Sequence, residues 1–152
     1  MRWISTDEGL KAPRRQEDLV RVFYREMWNR ADKRWIPELT HLDLAFRGSL
    51  GPELKGHAAL ADYIDHVTEA LGDYTCEIVD MVEEGEKVAA RLLFHGRHCG
   101  ILMGFQPTGQ PVAWAGSAQF TFRKGKIADL WVLGDVYGLI RQLQAAAGGA
   151  QI

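Results

Sequence analysis

The chain has 152 residues, of which 47% are apolar and 25% charged, with a formal net charge of -2. That is material for one soluble domain with a real core. It offers no basic surplus for nucleic acid, and no run approaches the ~18 apolar residues of a membrane span.

Residues 1–13 are polar and aperiodic and read as an N-terminal arm. The opening MRWISTDEGLKAPRR lacks an apolar signal core, so a cytoplasmic location is expected. Leu19, Val20, Phe23, Tyr24, Met27 and Trp28 then recur at helical spacing, which predicts an amphipathic helix over 14–30. The stripe serves core packing, and Tyr24, Met27 and Trp28 could also wall a pocket. A short helix over 32–39 carries Trp35 and Ile36. His41 to Arg47 alternates as a strand, GSLGPELKG is a loop, and His57 to Leu71 is a third helix. Four strand-like runs follow, at 73–82, 87–98, 111–122 and 126–136. A last helix spans Tyr137 to Ala147, and 148–152 is a frayed tail. Helices first and an antiparallel meander after predict a single α+β domain over 14–147, with helices on one face of a curved sheet.

The hairpin turns EEGE and RKGK lack Asn-Gly or Asp-Gly, so three-residue loops with a glycine bulge are expected. Phe122 then pairs with Lys126, Gln119 faces Asp129, and Ser117 faces Trp131. This register puts Gln119, Ser117, Trp131, Leu133 and Asp135 on one face. The other face carries Trp114, Phe120, Phe122, Leu130 and Val132. Both need cover, which predicts a homodimer through the convex sheet face.

Asp135, in WVLGD, is the candidate acid/base: a carboxyl held on a half-enclosed apolar face is tuned toward proton transfer. The competing reading is a cap on the helix that follows. Gln119 can donate to an oxygen without adding charge, and His98, in GRHCG, can steady a developing oxyanion or orient a carboxylate. Arg47 and Arg91 need partners if enclosed. Cys76 and Cys99 have no metal or disulfide spacing, and His41, His57, His66, His95 and His98 form no HExxH. No metal and no cofactor is therefore expected. The pocket walls are assigned to Tyr24, Met27, Trp28, Trp35, Arg47, Trp131 and Leu133.

These runs resemble a known family. GRHCGILMGFQPTGQPV and FTFRKGKIADLWVLGDVYGLIRQL, with FYREMWNRAD and LKGHAALADYI, resemble the SnoaL-like polyketide cyclases over about residues 15–144. The resemblance implies the cone-shaped barrel of the nuclear transport factor two-like superfamily, a strongly curved, mostly antiparallel sheet with helices packed on its concave face around an apolar pocket. It also implies intramolecular aldol closure of a polyketide-like or other apolar carbonyl substrate, without metal or cofactor. The family's W-x-x-x-D aspartate matches Asp135, its G-x-H-x-G histidine matches His98, and its strand glutamine matches Gln119. Departures are Thr121 at a second family histidine, Ala45-Phe46-Arg47-Gly48 where His-Asp is common, and Arg97 in place of threonine. Other reactions on this fold are an isomerase, or an epoxide hydrolase for which Asp129 and Arg91 are the available partners. A non-catalytic small-molecule-binding dimer module is the third reading.

Overall fold

The structure is a computed structural model that describes Ser5, Thr6 and residues 9–148. Residues 1–4, 7–8 and 149–152, which include parts of the expected arm and tail, lie outside the described residues. Strands β1 (Ser5–Thr6) and β2 (Gly9–Leu10) pair with each other. Helix α1 (Gln16–Val22) runs into a π-helical segment, Phe23–Trp28, closed by Asn29 N–H donating to the Tyr24 carbonyl at 2.8 Å. A 3-10 turn (Lys33–Trp35), started by the Asp32 side chain accepting from Arg34 N–H, leads into α2 (Ile36–Leu39). Then come β3 (Thr40–Arg47), β4 (Glu53–Lys55), α3 (His57–Ala70), β5 (Leu71–Glu84), β6 (Lys87–His98), β7 (Pro111–Arg123), β8 (Lys126–Gly134) and α4 (Val136–Ala147).

The sheet order is β4-β3-β8-β7-β6-β5, with only the β3–β8 pair parallel. Alternation along each strand sends one residue set under the helices. Phe120 of β7 meets Phe23 at 5.5 Å and Tyr24 at 5.9 Å, so the first helix seats directly on that face. Phe94, Trp114, Phe122, Leu130 and Val132 are buried with it. At the opposite end β8 stops at Gly134, opposite Gly116. Helix α4 takes over there: the Gln142 amide accepts from Ala113 N–H at 3.0 Å and donates to Ala113 C=O at 2.7 Å, standing in for the missing strand.

Both hairpins differ from the expected loops. Glu84 pairs with Lys87 and Arg123 with Lys126, so each turn has two residues. Gly85 (φ 59°), and Lys124 (φ 50°) with Gly125 (φ 78°), supply the left-handed conformations; in RKGK a lysine does what asparagine usually does. A bulge at Ala128 then shifts the register, so that Gln119 faces Trp131 and Ser117 faces Leu133. The shorter turn and the bulge each move the pairing by one, two in all from the expected register, which leaves the same residues sharing each face.

Which face the helices cover is the larger correction. They cover Trp114, Phe120, Phe122, Leu130 and Val132. The face of Gln119, Ser117, Trp131 and Leu133 is the outer one, and all four are exposed. The richer apolar set goes under the helices because it removes more surface from water.

Candidate functional site

Beneath the helices lies an aromatic hollow. Phe46 of β3, Phe94 of β6 and Val132 of β8 form its floor, and Tyr24, Trp28 and Tyr63 close it from the helical side. The π-helical segment carries Tyr24 and Trp28 four residues apart on one face; such segments recur at functional sites. The hollow is small and partly open, about 30 Å³, room for roughly two water molecules.

Two buried polar atoms on this side of the sheet have no hydrogen-bond partner: the hydroxyl of Tyr24, which lines the hollow, and the indole N–H of Trp114, which is not among its lining residues. Trp114 stacks on Phe94 with centroids 5.0 Å apart, and a methyl group on Gly134 would come within 3.1 Å of its Nε1 and 2.8 Å of the Ser49 Cβ. The indole N–H therefore sits beside Ser49, which lines the hollow. Burial pushes the Tyr24 phenol well above the usual tyrosine range, with Cys76 and Tyr63 adding to the effect. It is thus a neutral donor at pH 7. A buried donor left unpaired costs about 1–3 kcal/mol, the kind of defect a ligand oxygen repairs.

The roof is the loop at Gly48–Gly51. Tyr63 of α3 accepts from Leu50 N–H at 3.1 Å and lays its ring against Gly48 and Gly51, where a side chain at either position would overlap it. Tyr63, Tyr74, Phe46, Phe94 and Ser49 were not singled out from the sequence. The available signal was the pair of glycines in GSLG, which leave room for a ring.

Of the expected pocket residues, Tyr24 and Trp28 line the hollow. Met27 and Trp35 are buried in the core but are not among its lining residues. Arg47 and Trp131 stack with each other on the outer side, the guanidinium 5.8 Å from the ring centroid, and Arg47 also donates to the Val132 carbonyl. Leu133 and Gln119 are exposed on that face.

Asp135 is not enclosed. It is exposed, ends the strand, and caps α4, its Oδ1 accepting from Gly138 N–H at 2.9 Å. The outward parity of Trp131 and Leu133, and the end of β8 at Gly134, take the carboxylate out of the hollow. It follows directly on Gly134, which packs on Trp114 and on Ser49, a lining residue of the hollow. His98 is wholly buried, with Nδ1 held by Thr108, and does not line the hollow. The structure thus does not gather Asp135, Gln119 and His98 into one cluster. Arg91 and Asp129 are exposed. Among the described residues no group of three or more His, Cys, Asp or Glu could hold a metal ion, and no helix is long and apolar enough to cross a membrane.

The model of the family SnoaL-like polyketide cyclase matches residues 18–143. The chain is 32% identical over 131 residues to the aklanonic acid methyl ester cyclase DnrD of Streptomyces peucetius, covering 84% of this chain and 90% of that one. Among solved structures it is similar to IdmH of Streptomyces antibioticus, proposed to be a polyketide cyclase, at 25% identity and a TM-score of 0.74, over 85% of this chain and 99% of that one. It is also similar to AclR of Streptomyces galilaeus, proposed to be a hydroxylase, at 27% identity and a TM-score of 0.72, over 84% and 79% of the two chains. With its curved sheet, its helices on the inner face and a match over most of its length, the chain belongs to the SnoaL-like polyketide cyclase family of enzymes.

Proposed function

We propose that this chain closes a ring in a polyketide-like carbonyl compound by intramolecular aldol condensation, using its own side chains and no metal or organic cofactor. The observation that carries the reading is the buried, unpartnered hydroxyl of Tyr24, a residue that lines the aromatic hollow. Donors fixed in a dry site stabilise the charge that grows on a carbonyl oxygen as an enolate forms. In this reading Asp135, an exposed carboxylate one residue past Gly134, takes a proton from the carbon between two carbonyls. The carbanion forms the new C–C bond to a second carbonyl carbon, and the resulting alkoxide takes the proton back. Nothing is oxidised or reduced. Gln119 and His98 have no contact with the reacting atoms in this scheme.

The test is ring closure of aklanonic acid methyl ester, the compound in the S. peucetius relative's name. Asparagine caps a helix as well as aspartate, so Asp135→Asn should fold normally and slow closure by ~100-fold or more. An Asn variant as fast as the parent removes Asp135 from the reaction. A parent that leaves the ester unchanged removes the cyclase reading.

One observation favours a binding module instead: no carboxylate lines the hollow. That reading expects the ester to be retained in native mass spectrometry and recovered unaltered.

The outer face, with exposed Trp131 and Leu133, is in this proposal covered by a second copy of the chain. Sedimentation should give a dimer, and Leu133→Glu a monomer; a monomeric parent at micromolar concentration contradicts it.

A further inference from the structure

We propose that Tyr63 is a gate between the small inner hollow and an outer apolar groove, and that the groove takes the part of a flat polycyclic carbonyl compound that the hollow cannot hold. The identity of that ligand class rests on the cyclase reading; the gate does not.

The volumes pose the problem. Ligand pockets commonly measure ~300–1,000 Å³, whereas the hollow is about 30 Å³. A groove of about 500 Å³ lies on the other side of Tyr63, between α3 and the loop at 101–103, with Val67, Ala70 and Leu54 in its walls. Tyr63 lines both spaces. Its ring packs edge-on against Trp28 at 5.7 Å inside the hollow and meets Phe46 at 5.9 Å.

The groove's far wall is built to stay apolar and exposed. Leu102 and Phe105 exchange backbone hydrogen bonds at 3.1 and 2.8 Å, and Met103 (φ 50°) and Gly104 (φ 82°) turn the chain between them. A non-glycine residue in the left-handed region costs roughly 1–2 kcal/mol. This turn leaves Ile101 63% and Met103 40% exposed, facing the helix across the groove.

The Tyr63 hydroxyl is the latch. It ties the helix to the roof through the Leu50 N–H and the Ser49 side chain, while the turn's own Gly51 N–H to Gly48 C=O bond is long, at 3.4 Å. The ring can lie where it does because Gly48 and Gly51 have no side chains. Breaking the Leu50 bond and lifting the roof joins hollow and groove into one pocket. A ligand carbonyl then reaches Tyr24, while the remaining rings lie against Ile101 and Met103.

Stopped-flow quenching of tryptophan fluorescence by alizarin, a planar dihydroxyanthraquinone, tests this on the full chain. A required opening step slows association, so Tyr63→Phe, which removes the latch and keeps the ring packing, should raise the association rate constant up to ~10-fold, and Tyr63→Ala at least as much. The double variant Ile101→Glu, Met103→Glu, at exposed positions, should weaken Kd by ~10-fold, equivalent to about 1.4 kcal/mol, with an unchanged melting temperature. Both Tyr63 variants associating at the parent rate, the double variant binding as the parent does, or no alizarin binding at all, overturns the proposal. Gated alizarin binding by a protein that leaves aklanonic acid methyl ester unchanged supports the gate and sinks the cyclase reading alone.

Discussion

Thr108 donates its backbone N–H to Nδ1 of His98 at 3.2 Å, with its hydroxyl 3.1 Å from the same nitrogen. A backbone N–H can only donate, so Nδ1 is the acceptor and the ring proton of the neutral imidazole sits on Nε2, which is buried without a partner. The PTG segment thereby fixes His98 as a clamp on the 98–110 connection. Nitrogen-15 NMR should show the Nε2–H tautomer for His98. A proton on Nδ1 would contradict this geometry.

Asp135 and Gly138 are linked by space as well as by the cap. A methyl group on Gly138 would overlap the Asp135 carboxylate. Gly138→Ala should therefore push that carboxylate aside, losing about 1 kcal/mol of capping along with ring-closing activity. Asp135→Asn should lose the activity and keep the stability. Urea denaturation beside the rate assay checks the pair; equal stability losses in both variants would refute the separation.

Tyr24 should show stability and function pulling apart. Its hydroxyl is buried and unpaired, so Tyr24→Phe removes a defect and should leave the protein as stable or more stable, by up to about 1 kcal/mol. The same change should lower the ring-closure rate by ~100-fold. A destabilised variant with parent activity would mean the hydroxyl has a structural partner and no catalytic one.

Alkaline pH offers a test of the aromatic interior as a whole. Burial holds the Tyr24, Tyr63 and Tyr74 phenols above the usual range, with hydrogen bonds to Leu50 and Ser49 and the Arg47 charge partly opposing it at Tyr63. In the unfolded chain a tyrosine ionises near ~10. Below that pH both states keep their phenolic protons and the contribution to stability is complete. Above it the unfolded state releases protons that the folded state retains, so stability falls as pH rises. Denaturation at a series of pH values should show this decline, and it should be shallower in Tyr24→Phe and Tyr74→Phe. Parallel slopes in parent and variants would rule out these groups as its source.

Much of the fold could be read from residue order because its signals are local. The stripe from Leu19 to Trp28 gave the first helix, though not its π-helical turn, which depends on tertiary packing around Tyr24 and Trp28. Alternation gave β6 at 87–98 as observed. The sharing of faces by Gln119 and Trp131 also came out, even though the turn type did not, because the Ala128 bulge restored the parity that the shorter turn had inverted. Alternation says which residues share a face and nothing about which face the helices choose. That choice belongs to the summed apolar area of Trp114, Phe120, Phe122, Leu130 and Val132, and it turned Asp135 outward. Tyr63, Phe46 and Phe94 meet only in three dimensions, so no spacing announced them.

The most direct test of the account is a crystal structure with aklanonic acid methyl ester, or a slow-closing analogue of it, bound to Asp135→Asn. The account predicts electron density beneath the Gly48–Gly51 loop, with a carbonyl oxygen in hydrogen-bond reach of Tyr24 Oη and the Tyr63 ring displaced. Density for the ligand over Trp131 and Leu133 on the outer face, with the hollow empty, would contradict it.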